Sequence, residues 1–158
     1  MSGLPGVQKL VFIDWRVPDI QDLLNGLQPG EKAFMLNQSS DGVQQIADFL
    51  AASNFSDLTS ISLIGHGAVG QMHLGSTVLD DSDLSSHSGA LAQIGAALSP
   101  GGDLQLYSCD VASGASGQQF IADLSQFIGG ADVAAATHAV GLTTAGEAWT
   151  LDASTSPS

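Results

Sequence analysis

Leu10 to Ile13, inside the stretch Lys9 to Asp14 (KLVFID), are consecutive apolar residues with no alternation. A strand with one face in water alternates in polarity, so an unbroken run of this kind must be covered on both faces. That condition points to the inside of a parallel sheet. Further strands read at Lys32 to Leu36, Ile61 to Ile64, Leu104 to Tyr107, Asp132 to Ala136 and Trp149 to Leu151.

Helical signals separate these strands. Pro18 and Asp19 open a short helix through Leu24, closed by Gly26. Ser40 and Asp41 are N-cap candidates for a helix whose apolar face is Val43, Ile46, Ala47 and Leu50. Asp80 to Leu98 reads as helical with a break near Ser88-Gly89, and Pro100-Gly101-Gly102 ends it. Gln118 to Ile128 places Phe120, Ile121, Leu124 and Ile128 on one face. Between the third strand and this region, Gln71–Leu74 and Thr77–Leu79 flank Gly75-Ser76 as a hairpin. The alternation predicts an α/β three-layer sandwich, a mostly parallel central sheet with helices on both faces. Residues 1–153 are expected to form a single domain, with Ser154 to Ser158 a frayed tail or linker.

Composition narrows the function. Sixteen acidic residues face only Lys9, Arg16 and Lys32, a formal net charge of −13. Nucleic acid and anionic membrane surfaces need clustered cations, so neither is an expected partner. No run approaches the roughly 20 apolar residues of a membrane span, and Met1 to Val7 has neither the basic flank nor the apolar core of a signal peptide. The acids are scattered and form no calcium-loop pattern.

A lone cysteine, Cys109, forms no internal disulfide and is by default a small buried hydrophobe. Its neighbourhood offers more. In open parallel sheets the functional crevice lies beyond the carboxyl ends of the strands. His66 comes two residues after the third strand and Cys109 two after the fourth, so neighbouring strands would bring both to one rim. A cysteine nucleophile needs a thiolate, a proton acceptor and donors for a developing oxyanion. The helix beginning near Ser113 to Gly117 would favour the thiolate, and His66 would serve as general base and acid. The N–H groups of Gly67 and Cys109 would form the oxyanion hole. The alternative is a buried thiol beside a loop histidine that satisfies backbone groups.

Leu63-Ile64-Gly65-His66-Gly67, followed by Leu106-Tyr107-Ser108-Cys109, resembles the caspase-like cysteine peptidases, the group of caspases, legumain, gingipains and toxin self-cleaving domains. The resemblance puts the family's histidine on His66, its glycine on Gly67 and its nucleophile on Cys109. A closer one, from about Val11 to Leu151, is to an uncharacterised domain near the N-terminus of very large bacterial surface and secreted proteins, often ahead of cadherin-like or calcium-binding repeats. It rests on Val11-Phe12-Ile13-Asp14, His66-Gly67-Ala68 with Leu74-Gly75-Ser76, Tyr107-Ser108-Cys109-Asp110-Val111-Ala112, Gly130-Ala131-Asp132-Val133 and Trp149-Thr150-Leu151. It implies a cysteine endopeptidase that processes its own parent polypeptide or a surface protein, secreted or at the cell surface. The alternative is a non-catalytic module that retains or presents an adhesin, with a vestigial dyad.

The caspase pattern Gln-Ala-Cys-Arg-Gly is absent, and Ser108-Cys109-Asp110 stands in its place. Asp14, Arg16 and Asp110 are the substrate-pocket candidates. Arg16 is the sole plausible cation there, while Asp14 either faces a basic residue or caps the loop into the next helix. Gly65-His66-Gly67-Ala68-Val69-Gly70 spells G-x-G-x-x-G, but a hairpin follows it where a dinucleotide fold requires a helix. His66, His73, His87 and His138 show no close metal-ligand spacing, and His87 and His138 read as surface or loop residues. No metal or cofactor is expected, and no G-x-S-x-G elbow is present.

Overall fold

A computed structural model of the chain describes residues 9–14, 31–53, 58–107, 110–136 and 153–155. In chain order the strands are β1 (Lys9–Asp14), β2 (Glu31–Leu36), β3 (Leu58–Ile64), β4 (Gly67–Ala68), β5 (Gln71–Leu74), β6 (Thr77–Asp80), β7 (Leu98–Tyr107), β8 (Asp132–Ala135) and β9 (Ala153–Ser154). The described helices are α1 (Gly42–Ser53), α2 (Ser88–Ala97) and α3 (Gly114–Phe127). Six strands form the main sheet in the order β2-β1-β3-β7-β8-β9. All its pairings are parallel except β8–β9, which is antiparallel. The short antiparallel sheet β4-β5-β6 stands beside it. The chain is therefore an α/β domain with a mostly parallel central sheet, as the alternation of strand and helix signals predicts.

β1 lies between β2 and β3, and every residue after Lys9 is buried, which is why its apolar run is continuous. The direction of travel explains where the helices go. From β2 the chain crosses β1 to reach β3, then steps the same way to β7 and β8. Right-handed crossovers in one direction all fall on one face. Accordingly α1, α2 and α3 share a single apolar core with Leu10, Phe12, Leu63, Leu104, Leu106 and Val133. Phe12, Phe34 and Phe49 join β1, β2 and α1 there, with ring centroids 4.1 to 6.0 Å apart. The opposite face is covered as well: Val11, Ile13 and Ile64 are buried on it, as are Ser60 and Ser62. Burial of both faces fits a three-layer arrangement.

Several boundaries differ from the sequence reading. β7 begins at Leu98 rather than Leu104, and its register against β3 shifts between Leu58 and Ser60. Pro100-Gly101-Gly102 thus sits inside an irregular strand instead of after a helix. Asp80 to Leu98 resolves into two 3-10 turns, Asp81–Asp83 and Ser85–His87, before α2 begins at Ser88. Ser154 and Thr155, expected to fray, are held. Ser154 pairs with Ala134, and Thr155 exchanges bonds of 2.9 Å with Val133 through its N–H and its Oγ1. The expected helix Pro18–Leu24 and strand Trp149–Leu151 lie outside the described residues.

Candidate active site

The connections leaving β1 and β3 run in opposite directions across the sheet, so strand order reverses between these two neighbours. Crevices in open α/β sheets form beyond the carboxyl ends of the strands at such a point. Asp14 ends β1, Ile64 ends β3, and Tyr107 ends β7 next door. Ile64 and Tyr107 are register partners, so the neighbour relation needed to bring the two motifs to one rim holds. Cys109 itself, with Ser108, Arg16 and His138, lies outside the described residues.

His66 leaves the main sheet exposed to solvent, and its carbonyl accepts from the His73 N–H at 2.8 Å. That bond sets the phase of the β4–β5 ladder. Gly67 and Met72 are then the non-hydrogen-bonded pair, so the Gly67 N–H and carbonyl point away from β5. An N–H aimed outward from a strand end is the donor an oxyanion hole requires.

The chain running from His66 and the chain around position 109 are tied at two places. The Gly65 N–H donates to the Tyr107 carbonyl at 3.3 Å, and the Gly70 N–H donates to the Val111 carbonyl at 3.0 Å. Beyond the second tie the loop is braced further. The Ala112 N–H donates to Ala136 at the end of β8, and Gln118 Nε2 donates to the Ala112 carbonyl at 2.8 Å. Gly117 of α3 packs so tightly on this loop that a Cβ there would lie 2.4 Å from the Ala112 carbonyl carbon. Asp110 has φ = 58°, the one non-glycine with positive φ among the described residues. A side chain held in the left-handed region stores strain that the surroundings must maintain, a recurrent property of active-site loops. α3 begins at Gly114 after Ser113, within the expected span.

Asp14 is turned away from solvent. It is 0 % exposed, and its Oδ1 accepts from the Gly75 N–H at 2.6 Å. The carboxylate is turned inward, to hold the β5–β6 turn against the end of β1. It does not face solvent, and a buried carboxylate needs fixed donors, of which the turn supplies one. Asp110 is half-buried and stays at the rim. Burial pushes the Tyr107 phenol up, aided by Asp103 and Glu31, so Tyr107 remains a neutral donor, to Gln105 Oε1 at 3.2 Å.

Beside the rim runs an open groove of about 600 Å³ between the hairpin tip and the head of α3, lined by Val69, Gly70, Gln71, Asp80, Asp81 and Gln119 among others. A second opening of about 630 Å³, bounded by Leu98, Gly102, Phe127 and Asp132, lies at the amino ends of β7 and β8, the other end of the sheet from the rim. The hairpin expected around Gly75-Ser76 is present, and Gly75, with φ = +61° and Ser76 after it, gives it the Gly-X signature of a type II′ turn. His87, taken as a surface or loop residue, is instead packed against Asp41 with its side chain 13 % exposed. No sequence signal announces that pairing.

These features define an open, mostly parallel α/β domain with a histidine-bearing rim at its switch point. Within that class the chain belongs to the family described as Domain of unknown function (DUF4347), whose model matches residues 10–158. Among solved structures it is similar to the crystal structure of caspase-1 from Spodoptera frugiperda, at 12 % identity and a TM-score of 0.37, over 66 % of this chain. The match spans 49 % of that structure's chain, about half its length. None of the curated proteins matches this chain.

Proposed function

We propose that this domain is a caspase-like cysteine endopeptidase in which His66 and Cys109 form the dyad. The observation that carries the reading is the double tie: Gly65 to Tyr107 and Gly70 to Val111. His66 lies in the chain between one end of each tie, and Cys109 between the other ends. Tyr107 and Val111, the described residues that carry these ties, flank position 109 in the sequence. The outward Gly67 N–H, the strained Asp110 and the adjoining groove support the same reading.

The chemistry follows from these roles. His66 takes the thiol proton as the Cys109 sulfur adds to the peptide carbonyl carbon. Negative charge collects on the carbonyl oxygen between the Gly67 and Cys109 N–H groups. Collapse expels the amine, which receives its proton from His66. Water then adds to the thioester with His66 as base, releasing the carboxylate and restoring the thiol. The substrate is a peptide segment of the parent polypeptide or of a surface protein, and the setting is the exterior of a bacterial cell.

The test is a longer parent polypeptide expressed beside its Cys109→Ala and His66→Ala forms. Self-processing should be absent in the first variant and slowed by about 10²- to 10⁴-fold in the second. Identical fragments from all three chains would leave the rival reading, a retention module without turnover. Iodoacetamide gives a second readout. A thiol paired with His66 reacts well below about pH 8.5, whereas an inert core cysteine does not.

A further inference from the structure

The β5–β6 turn that stands behind His66 is anchored through one histidine. His87 Nδ1 lies 2.9 Å from the Asp83 carbonyl oxygen, and His87 Nε2 lies 2.5 Å from Asp41 Oδ2. Both partners are acceptors. A neutral imidazole carries one N–H and one lone pair, so it can satisfy only one of them; the imidazolium satisfies both. Asp41 is itself committed, because its Oδ1 caps α1 by accepting from the Val43 N–H at 2.8 Å.

The segment around Asp41 then grips the hairpin turn. The Ser76 N–H donates to the Ser40 carbonyl at 2.9 Å, and Asp41 bridges Gly75 in antiparallel fashion. A Cβ on Gly75 would lie 2.4 Å from the Ser40 carbonyl oxygen, so the two backbones are in close contact that a side chain would disrupt. Gly75 also donates to the buried Asp14. From the turn, β5 leads back to the His73 N–H and the His66 carbonyl.

We propose that His87 is a proton-operated latch: as the imidazolium it fastens the β5–β6 hairpin to the head of α1, and on losing its proton it loosens the segment that carries His66 and Gly67. The charged groups facing the ring are Asp41 from the head of α1 and Asp83 from the 3-10 turn, and α2, which follows it, has no charged side chain. The Ser86 hydroxyl stands 3.4 Å from Nδ1. Burial alone would lower the ring's pKa, but the Asp83 carbonyl and the Asp41 carboxylate outweigh it and leave it raised. A raised folded value means the latch is fully present below the unfolded imidazole value of about 6.5 and is lost as pH climbs through the folded value. The latch concerns the fold, whatever chemistry the rim performs.

Ring nitrogen NMR and amide hydrogen exchange on the whole domain test it between pH 5 and 9. His87 should be doubly protonated at pH 6. Protection at the His73, Gly75 and Ser76 amides, corrected for intrinsic exchange, should fall on the order of tenfold as His87 titrates, the weight of one charge-assisted hydrogen bond. In His87→Gln that fall should vanish. Asp41→Asn keeps the cap and removes the charge, so it should move the His87 titration to lower pH even if the first variant folds poorly. A neutral His87 ring at pH 6, the same protection profile in His87→Gln, or an unmoved titration in Asp41→Asn would each overturn the latch.

Discussion

A carboxylate without exposed surface survives in a folded chain only when its oxygens are engaged, and Asp14 shows how this rim uses one. Its bond to the Gly75 N–H joins the end of β1 to a turn 61 residues away. Asp14→Ala would strand a buried donor and should destabilise the domain by about 3 kcal/mol. Asp14→Asn keeps an acceptor but loses the charge assistance, for about 1–2 kcal/mol. Urea unfolding should rank them in that order, and equal losses would mean that charge plays no part. The sequence showed Asp14 as an acid closing a strand, and nothing local distinguishes a pocket wall from an internal clamp. His66 and Gly67 were legible because their positions follow from where β3 stops. The partnership of His87 and Asp41 was not, since 46 positions separate them and each has an ordinary local role.

At the scale of elements, α3 connects the core to the loop after Cys109. Phe120, Ile121 and Leu124 are buried beneath it, matching the periodicity read in the sequence. Its first turn does something the periodicity does not reveal: Gly117 lies against the backbone of Val111 and Ala112. In an exposed helix Gly→Ala stabilises by about 1 kcal/mol. Here the added Cβ meets backbone atoms that cannot rotate aside, so Gly117→Ala should lower stability by about 2 kcal/mol or more. It should also weaken protection at the Gly70 and Ala112 amides. A rise in Tm for this variant would show that the loop yields freely. β7 carries a comparable lesson. Pro100-Gly101-Gly102 has the composition of a terminator, yet pairing with β3 on both sides of the irregularity carries the strand through it.

Across the whole molecule, sixteen acids against three basic residues make repulsion a standing feature. Among the described residues it shows where Asp81, in the first 3-10 turn, meets Asp123 of α3. The hydrogen bond to Asp123, then burial and the charges of Asp123 and Asp80, push the Asp81 carboxyl above the usual range. A raised carboxyl contributes stability below its unfolded value and loses it as pH rises through the folded one. At neutral pH the pair is therefore a burden. Asp81→Asn should raise Tm at pH 7, reflecting a stabilisation of less than about 1 kcal/mol at so exposed a site. The gain should shrink with added salt and disappear in acid. A variant melting below the parent at pH 7 would show that the contact helps the fold.

The sequence by itself determined the alternation of strands and helices, the double-sided burial of β1, and the two strands, β3 and β7, that lead toward His66 and position 109. Those are consequences of local periodicity and of the handedness of parallel connections, and both act over short stretches of chain. Only the tertiary structure decided that Asp14 faces inward, that His87 sits between two acceptors, and that Ser154 joins the sheet with Thr155 bonded to Val133. Each depends on a partner that folding brings from far along the chain, and a polar side chain carries no local mark of which distant donor or acceptor will meet it.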